Sequence, residues 1–325
     1  MIEYLLVFIT LFILIQAYFA IADKYNIIDK PNHRSAHSQI TLRGGGIIFP
    51  IAFVIFSIIN YKEAMSMYWS FGLGLLSISL VSFIDDVKTL SGKIRITVHF
   101  LSVALLLNFA EMFSMMPVWV WPIFFIIVIG TLNAYNFMDG INGMTGAYTL
   151  VTLLTLFYIN RDIIAFTQEN FIIYAILASL VFLFFNFRKK AKCFAGDVGS
   201  MGIGFWLIAL ITLLIMKTQD YRYILLFSIY GIEVVLTIIE RLLLKENIFE
   251  AHRRHLYQLL ANEKKMSHLV ISILYALAQL AVNVFLIHSK LPVYAVILII
   301  FVPLGSIYLF LKLKLKKKVQ STVIK

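Results

Sequence analysis

The sequence predicts an all-α polytopic membrane protein, a bundle of about eleven transmembrane helices, and three observations carry that prediction. Of its 325 residues, 61% are hydrophobic and only 14% charged, whereas a typical globular chain is about a quarter charged. Mean hydropathy is +0.90. Apolar stretches near the ~20 residues needed to cross a bilayer recur along the whole chain. Together they exclude a disulfide-stapled secreted fold, a disordered chain and a two-layer soluble domain. The single cysteine, Cys193, also forbids an intramolecular disulfide.

The apolar runs fall at 2–22, 44–60, 67–84, 96–113, 117–136, 141–159, 170–187, 199–216, 221–241, 268–288 and 292–311. The first ends in Ala20-Ile21-Ala22, which resembles a signal-peptide cleavage site. Its leading residues carry Glu3 and no Lys or Arg, and the run is too long for a signal core, so a retained span is expected. The second opens on Gly44-Gly45-Gly46, and the third ends against Asp85-Asp86. The fourth holds His99 and Asn108 within its apolar residues. The fifth and sixth are separated only by the short polar segment around Gly140, and the eighth follows Gly196-Asp197. The last runs into a lysine-rich tail. No internal repeat and no soluble linker interrupts the series, so residues 1–325 are expected to form one domain.

A net charge of +11 invites a nucleic-acid reading, but the topology accounts for it. The loops after odd-numbered spans, with the tail, hold 23 of the 28 Lys and Arg residues, and the even-numbered loops hold 5. By the positive-inside rule the odd loops and the tail are cytoplasmic and the N-terminus lies outside. The tail segment Lys312-Leu313-Lys314-Leu315-Lys316-Lys317-Lys318 then reads as an anchor attracted to anionic lipid. Nucleic acid is not required as a partner.

The odd loops also collect the polar clusters. Loop one contains Asp29-Lys30-Pro31-Asn32-His33-Arg34-Ser35-Ala36-His37 and Arg43-Gly44-Gly45-Gly46; loop three, Asp85-Asp86 and Ser91-Gly92-Lys93-Ile94-Arg95. Loop five runs from Asn133 through Asn136, Asp139 and Asn142 to Gly143. Loop seven contains Phe194-Ala195-Gly196-Asp197-Val198-Gly199-Ser200, and loop nine His252-Arg253-Arg254-His255. Asp85, Asp86, Asn136, Asp139 and Asp197 supply the hard oxygens that Mg²⁺ prefers, and Mg²⁺ usually shares its shell with substrate phosphate. Arg34, Lys93, Arg95, His252, Arg253, Arg254 and His255 are phosphate partners. Acidic metal ligands beside basic phosphate clamps suit phosphoryl transfer, which is largely positioning and charge neutralisation.

Each cluster alone has a plainer reading. Asp85-Asp86 can end a helix at the interface, and the loop-nine basic run can lie on headgroups. Gly196-Asp197 can be a helix-end turn. His252 and His255 stand three apart, but no third ligand of suitable spacing accompanies them, which disfavours zinc. Five such coincidences on one side, divided into complementary charge roles, favour one shared site.

At these residues the sequence resembles the polyprenyl-phosphate N-acetylhexosamine-1-phosphate transferases, glycosyl transferase family 4. The resemblance rests on Asp85-Asp86, Asn133-x-x-Asn136-x-x-Asp139-Gly140, Gly196-Asp197-x-Gly199-Ser200 and His252-x-x-His255, in order over roughly residues 20–260. It implies an enzyme of a bacterial inner membrane with its active site facing the cytoplasm. It implies Mg²⁺, with Mn²⁺ as the alternative ion, a polyprenyl phosphate acceptor and a UDP-N-acetyl sugar donor; a homodimer is compatible with it. Carried over by position, Asp197 matches the principal metal ligand and Asn136 a second. Asp85 and Asp86 match the pair that engages acceptor phosphate or metal, and Asp139 is the loop-five acid. Phe194 matches the uracil-stacking aromatic, Asn142 a uracil partner, and His252 and His255 the motif near the diphosphate. Lys93, Arg95, Arg253 and Arg254 are assigned to substrate charge. Cys193, beside Phe194, is then expected to meet thiol reagents from the cytoplasm and to be shielded by donor.

Two departures qualify the resemblance. The family often has a second Asp where this chain has Asn142, and loop nine lacks the three consecutive histidines of the phospho-N-acetylmuramoyl-pentapeptide transferase. Two alternatives are weighed beside the transferase. A lipid-linked saccharide flippase would place its polar residues near the bilayer midplane, whereas these sit at span ends. A catalytically silent relative would not be expected to keep the full acidic set.

Overall fold

The computed structural model describes residues 1–29, 40–248, 250 and 252–323, with side chains to residue 315. Much of loop one, including Arg34, lies outside the described residues. The chain is helical almost throughout. Helix α1 (Ile2–Lys24) leads through a two-residue antiparallel ladder, β1 (Ile28–Asp29) with β2 (Thr41–Leu42), to α2 (Ile48–Ile59), α3 (Tyr61–Ser66) and α4 (Trp69–Val87). Next come α5 (Gly92–Phe109), the single turn α6 (Met112–Met115), α7 (Trp121–Met138), α8 (Met144–Tyr158) and α9 (Glu169–Asn186). The series closes with α10 (Gly196–Thr218), α11 (Ser228–Leu243), α12 (Leu256–Asn262), α13 (His268–His288) and α14 (Val293–Val323).

All eleven apolar runs are helical. Among the described residues, nine give helices long and apolar enough to cross a membrane; the other two are the shorter α2, with its leading turn, and α8. The run holding His99 forms α5, which starts four residues before the apolar stretch because Ser91 supplies an N-cap, accepting from Ile94 N–H at 3.4 Å. Helix α1 packs against α9 and buries Val7, Leu11, Ile15, Phe19 and Ala22.

Helix α10 is the axis of the bundle. Its apolar window is 94% buried, and α2, α4, α7 and α8 surround it. Lipid tails give helices no hydrophobic reason to associate, so close approach and internal polar contacts take that role. A Cβ on Gly46 would sit 2.1 Å from the Cα of Gly199, so the backbones of loop one and α10 touch where any side chain would separate them. Between α8 and α13, Tyr148 donates to Gln279 at 2.6 Å, Gln279 to Asn283 at 2.7 Å and Asn283 to Thr155 at 2.9 Å. Large apolar residues such as Leu80 and Ile126 lie on the outer surface, as a lipid-facing bundle requires.

The loops sort into two ends. Loop one touches loops three and seven through Arg43, Asp86 and Phe194. At the other end Tyr4 and Glu3 near the N-terminus meet Asn170 and Tyr174, and Asn170 meets Asn60 after α2. The polar clusters therefore gather at the end opposite the N-terminus.

Candidate active site

Loop one and loop seven form the platform. Phe194 N–H donates to Leu42 O, Gly45 N–H to Phe194 O and Gly46 N–H to Ala195 O, at 2.8, 2.8 and 3.0 Å. This ladder delivers the chain into α10, whose first turn carries Asp197. The free amides there meet a partner from another helix: Asp86, at the end of α4, accepts from the N–H groups of both Asp197 and Val198 at 3.1 Å. An anion at a helix N-terminus is favoured by the orphan donors and the dipole alike. Arg43 completes the arrangement, with its guanidinium 2.8 Å from Asp86 Oδ1 and 3.6 Å from Asp197 Oδ1. Burial works against the charge of Arg43, but Asp86 and Asp197 outweigh it and hold its pKa above the ordinary value. The Asp86 side chain is fully enclosed, while that of Asp197 remains 23% exposed.

The side chains of Asp85 and Asp86 diverge to different partners. Successive residues on a helix point about 100° apart, and Asp85 turns to its own loop. It accepts from Leu90 N–H at 2.7 Å and faces Arg95 Nη1 at 3.0 Å. Arg95 is thereby half-buried against Asp85, and Lys93 is exposed at the start of α5.

Loop five lies across the same end. Asn136 is half-buried, and Asp139 accepts from Thr145 Oγ1 at 2.7 Å. Burial, opposed by Thr145 and reinforced by Asp197 and Asp86, pushes the Asp139 carboxyl up to about 7. Asn142 departs from the expected uracil contact: it is buried, and its amide donates to Arg188 O at 2.7 Å and Lys189 O at 3.3 Å. Beside it, Asn186 accepts from Gly143 N–H at 2.7 Å and donates to Cys193 O at 2.9 Å. Loops five and seven are strapped together by these two amides.

Loop nine reaches loop five through aromatic residues. Tyr257 donates to Phe137 O at 2.8 Å, and the His255 ring lies 6.3 Å from that of Phe137. His255 is buried, with Nδ1 3.6 Å from Glu233 Oε1. His252 Nδ1 accepts from Arg254 N–H at 3.3 Å, which leaves Nε2 to carry the proton of a neutral ring. Burial first, then His255 and the surrounding cations, brings the His252 pKa down to about 4, so this imidazole is a neutral donor and not a cation at neutral pH. Arg254 is committed to carboxylates rather than open to a ligand: Nε is 2.9 Å from Glu246 and Nη1 3.4 Å from Glu240. Arg253 is exposed.

Two further expectations are corrected here. Cys193 is fully buried against Gly45, not accessible, because the loop-one ladder lies over it. Lys312 belongs to a buried cluster rather than the lipid-facing tail. The residue that sequence reasoning left without a role is Arg43. Its signal was its place directly before the glycine triplet, where the backbone comes closest to α10. Thr145, which fell inside an apolar run, gave no signal.

For a divalent cation, the donor chemistry is restrictive. Among the described residues no three acidic, histidine or cysteine side chains converge on one point. Mg²⁺ is commonly held by one or two protein oxygens, with phosphates and water completing its octahedron. Asp86, Asp85 and Asp139 each spend oxygens on protein donors, and Asp197 is the partly exposed carboxylate. That set fits an ion carried largely by its substrate.

The model of glycosyl transferase family 4 matches residues 68–215, from the start of α4 to near the end of α10. A probable undecaprenyl-phosphate N-acetylglucosaminyl 1-phosphate transferase of Bacillus subtilis is 26% identical, over 73% of this chain and 70% of its own. The undecaprenyl-phosphate alpha-N-acetylglucosaminyl 1-phosphate transferase of Thermotoga maritima is 26% identical, over 74% and 75%. The phospho-N-acetylmuramoyl-pentapeptide-transferase of Thermotoga neapolitana is 27% identical, over 68% and 76%.

Proposed function

We propose, from the premise that this chain belongs to glycosyl transferase family 4, that it moves an N-acetylhexosamine 1-phosphate from a UDP-sugar to undecaprenyl phosphate or a similar polyprenyl phosphate. The observation that carries the reading is the Arg43–Asp86–Asp197 arrangement, a partly exposed carboxylate fixed at a helix N-terminus beside a guanidinium. It lies at the end of the bundle that the charge distribution assigns to the cytoplasm, where a UDP-sugar would be met. The membrane would be the bacterial inner membrane.

In this reaction an oxygen of the acceptor phosphate forms a bond to the donor β-phosphorus. The bond from that phosphorus to the bridging oxygen breaks, and UMP leaves with the oxygen. A phosphate monoester has its second pKa near 6, so the acceptor is already largely dianionic and a general base contributes little. The larger demand is to bring two polyanions together. Asp197, with Asn136 as second ligand, would hold Mg²⁺ or Mn²⁺, which supplies charge neutralisation at the diphosphate. Arg43, Lys93 and Arg253 add positive charge, and His252 can donate from Nε2 without adding any. Phe194, pinned at its backbone by Leu42 and Gly45, would offer its ring to the uracil.

N-Acetylglucosamine is the first donor to test, since two of the relatives are named for it. The loop-nine segment His252-Arg253-Arg254-His255 disfavours the muramoyl-pentapeptide donor. The experiment is UMP release by purified protein with polyprenyl phosphate, Mg²⁺ and a panel of UDP-sugars that includes UDP-N-acetylmuramoyl-pentapeptide. Release with an N-acetylhexosamine donor is expected. A folded sample that releases no UMP from any of them would overturn the reading.

A further inference from the structure

Helix α11 presents two carboxylates, the buried Glu233 and the partly exposed Glu240, seven residues apart and so on one side of the helix. Both turn to the histidine segment of loop nine. Glu233 accepts from Tyr275 OH at 2.5 Å and from the N–H of Leu256, the residue after His255. Glu240 stands between two cations: Oε1 is 3.4 Å from Arg254 Nη1, and Oε2 is 2.5 Å from Lys312 Nζ. Arg254 also meets Glu246, which in turn meets Arg241 at 3.3 Å.

Lys312 comes from α14, the last span, well beyond the region matched by the family model. It is 4% exposed. Besides Glu240 it donates to Tyr308 OH at 2.6 Å and Thr237 Oγ1 at 3.3 Å, and those two hydroxyls bond one another at 2.7 Å. An ammonium group in an apolar surround is costly unless paired and fully hydrogen-bonded, and here it is both. A lipid anchor would keep its charged head at the water interface. This lysine is instead aimed inward, at Glu240, one of the two carboxylates that meet the loop-nine arginine.

We infer that Lys312 is a positioning residue for the histidine segment of loop nine, acting through Glu240 on Arg254 and so on His252 and His255. The chain of contacts runs from α14 to α11 through the Lys312–Glu240 pair, from α11 to the loop through the Glu240–Arg254 pair, and on to His252, whose Nδ1 accepts from Arg254 N–H. A buried charge that loses its partner is strongly disfavoured where it stands. The effect on turnover rests on the transferase reading above; the effect on the loop does not.

The test compares Lys312→Met, Lys312→Arg and Glu240→Gln with wild type in lipid nanodiscs by hydrogen exchange of peptides covering residues 252–258, and by UMP release. Lys312→Met is expected to speed exchange in that segment at least about tenfold while α10 stays protected. It should lower kcat between about tenfold and a hundredfold, the scale on which a displaced active-site group acts. Lys312→Arg, which keeps the charge, should restore most of both. Glu240→Gln removes the same strut from the other side, so the double variant with Lys312→Met should be no worse than either single change. Wild-type exchange across 252–258 in both Lys312→Met and Glu240→Gln would overturn the inference. So would exchange that rises equally throughout the bundle, since Lys312 would then be holding the fold and not the loop. If Lys312→Met does not fold, Glu240→Gln decides by the same exchange reading. Should wild type release no UMP, the transferase reading fails and the exchange result still decides this one.

Discussion

The carboxylate of Asp86 caps the helix that carries Asp197, accepting from the N–H groups of Asp197 and Val198 at 3.1 Å each. The two acids therefore differ in their commitments: one is spent on architecture and the other stays partly exposed. Asp86→Ala should leave two helix-terminal amides and Arg43 without their acceptor. A loss of about 1–3 kcal/mol is expected, because a cap contributes about 1 kcal/mol and the Arg43 pair is partly screened. Asp197→Asn should abolish turnover while melting close to wild type. Thermal melting and UMP release on both variants check this difference; equal melting losses would contradict it.

Gly196 stands where these groups meet. Its φ is +70°, and a Cβ there would lie 2.5 Å from Asp86 Oδ2. Left-handed backbone costs a residue with a Cβ about 1–2 kcal/mol, and the clash displaces the capping carboxylate as well. Gly196→Ala should lower both the melting temperature and kcat, whereas Gly92→Ala, where a Cβ meets nothing within 4 Å, should leave both near wild type. The paired measurement separates a conformational requirement from a general sensitivity to added methyl groups.

How far the sequence could be read depended on the kind of question. Span positions were legible because apolar run length is a local property, and α10 follows directly from the stretch after Gly196-Asp197. The gathering of acids at one end was legible from the loop alternation and the motif order. Partner choice was not. Arg254 has the same residue type whether it grips a phosphate or Glu246, and only the folded chain brings Glu240 and Glu246 to it. Asp85-Asp86 looked like a unit because they are neighbours in sequence, yet helix geometry sends them to Arg95 and Arg43. Lys312 was grouped with the tail by composition. The spacing of four from Tyr308, which puts both on one helix face, was the available signal that it belonged inside.

Cys193 offers a direct check of the loop-one ladder. The thiol is fully buried, and burial, with Asp139 adding to it, pushes its pKa well above the ordinary range. Thiol reagents attack the thiolate, so both access and ionisation are denied. In the native protein a maleimide should fail to modify Cys193 with or without saturating UDP-sugar, and it should react fully once the protein is unfolded in detergent. Mass spectrometry reads the outcome. Native labelling that donor suppresses would mean the ladder over residues 193–195 opens in solution.

His252 gives the pH dependence. Its pKa in the folded protein is brought down to about 4, first by burial and then by His255 and nearby cations, against about 6.5 in an unfolded chain. Between those values the unfolded chain binds a proton that the folded protein refuses, so acid favours unfolding. The stability that the neutral ring contributes is complete above about pH 6.5 and is lost as the pH falls through about 4. His252→Gln removes the titration while keeping a neutral amide donor. The melting difference between wild type and His252→Gln should therefore be constant from pH 8 to 7 and should shift steadily in favour of the variant from pH 6.5 to 4. A constant difference across the whole range would mean that His252 is solvated and free to charge, and its assignment as a neutral hydrogen-bond donor to the donor diphosphate would fall with it.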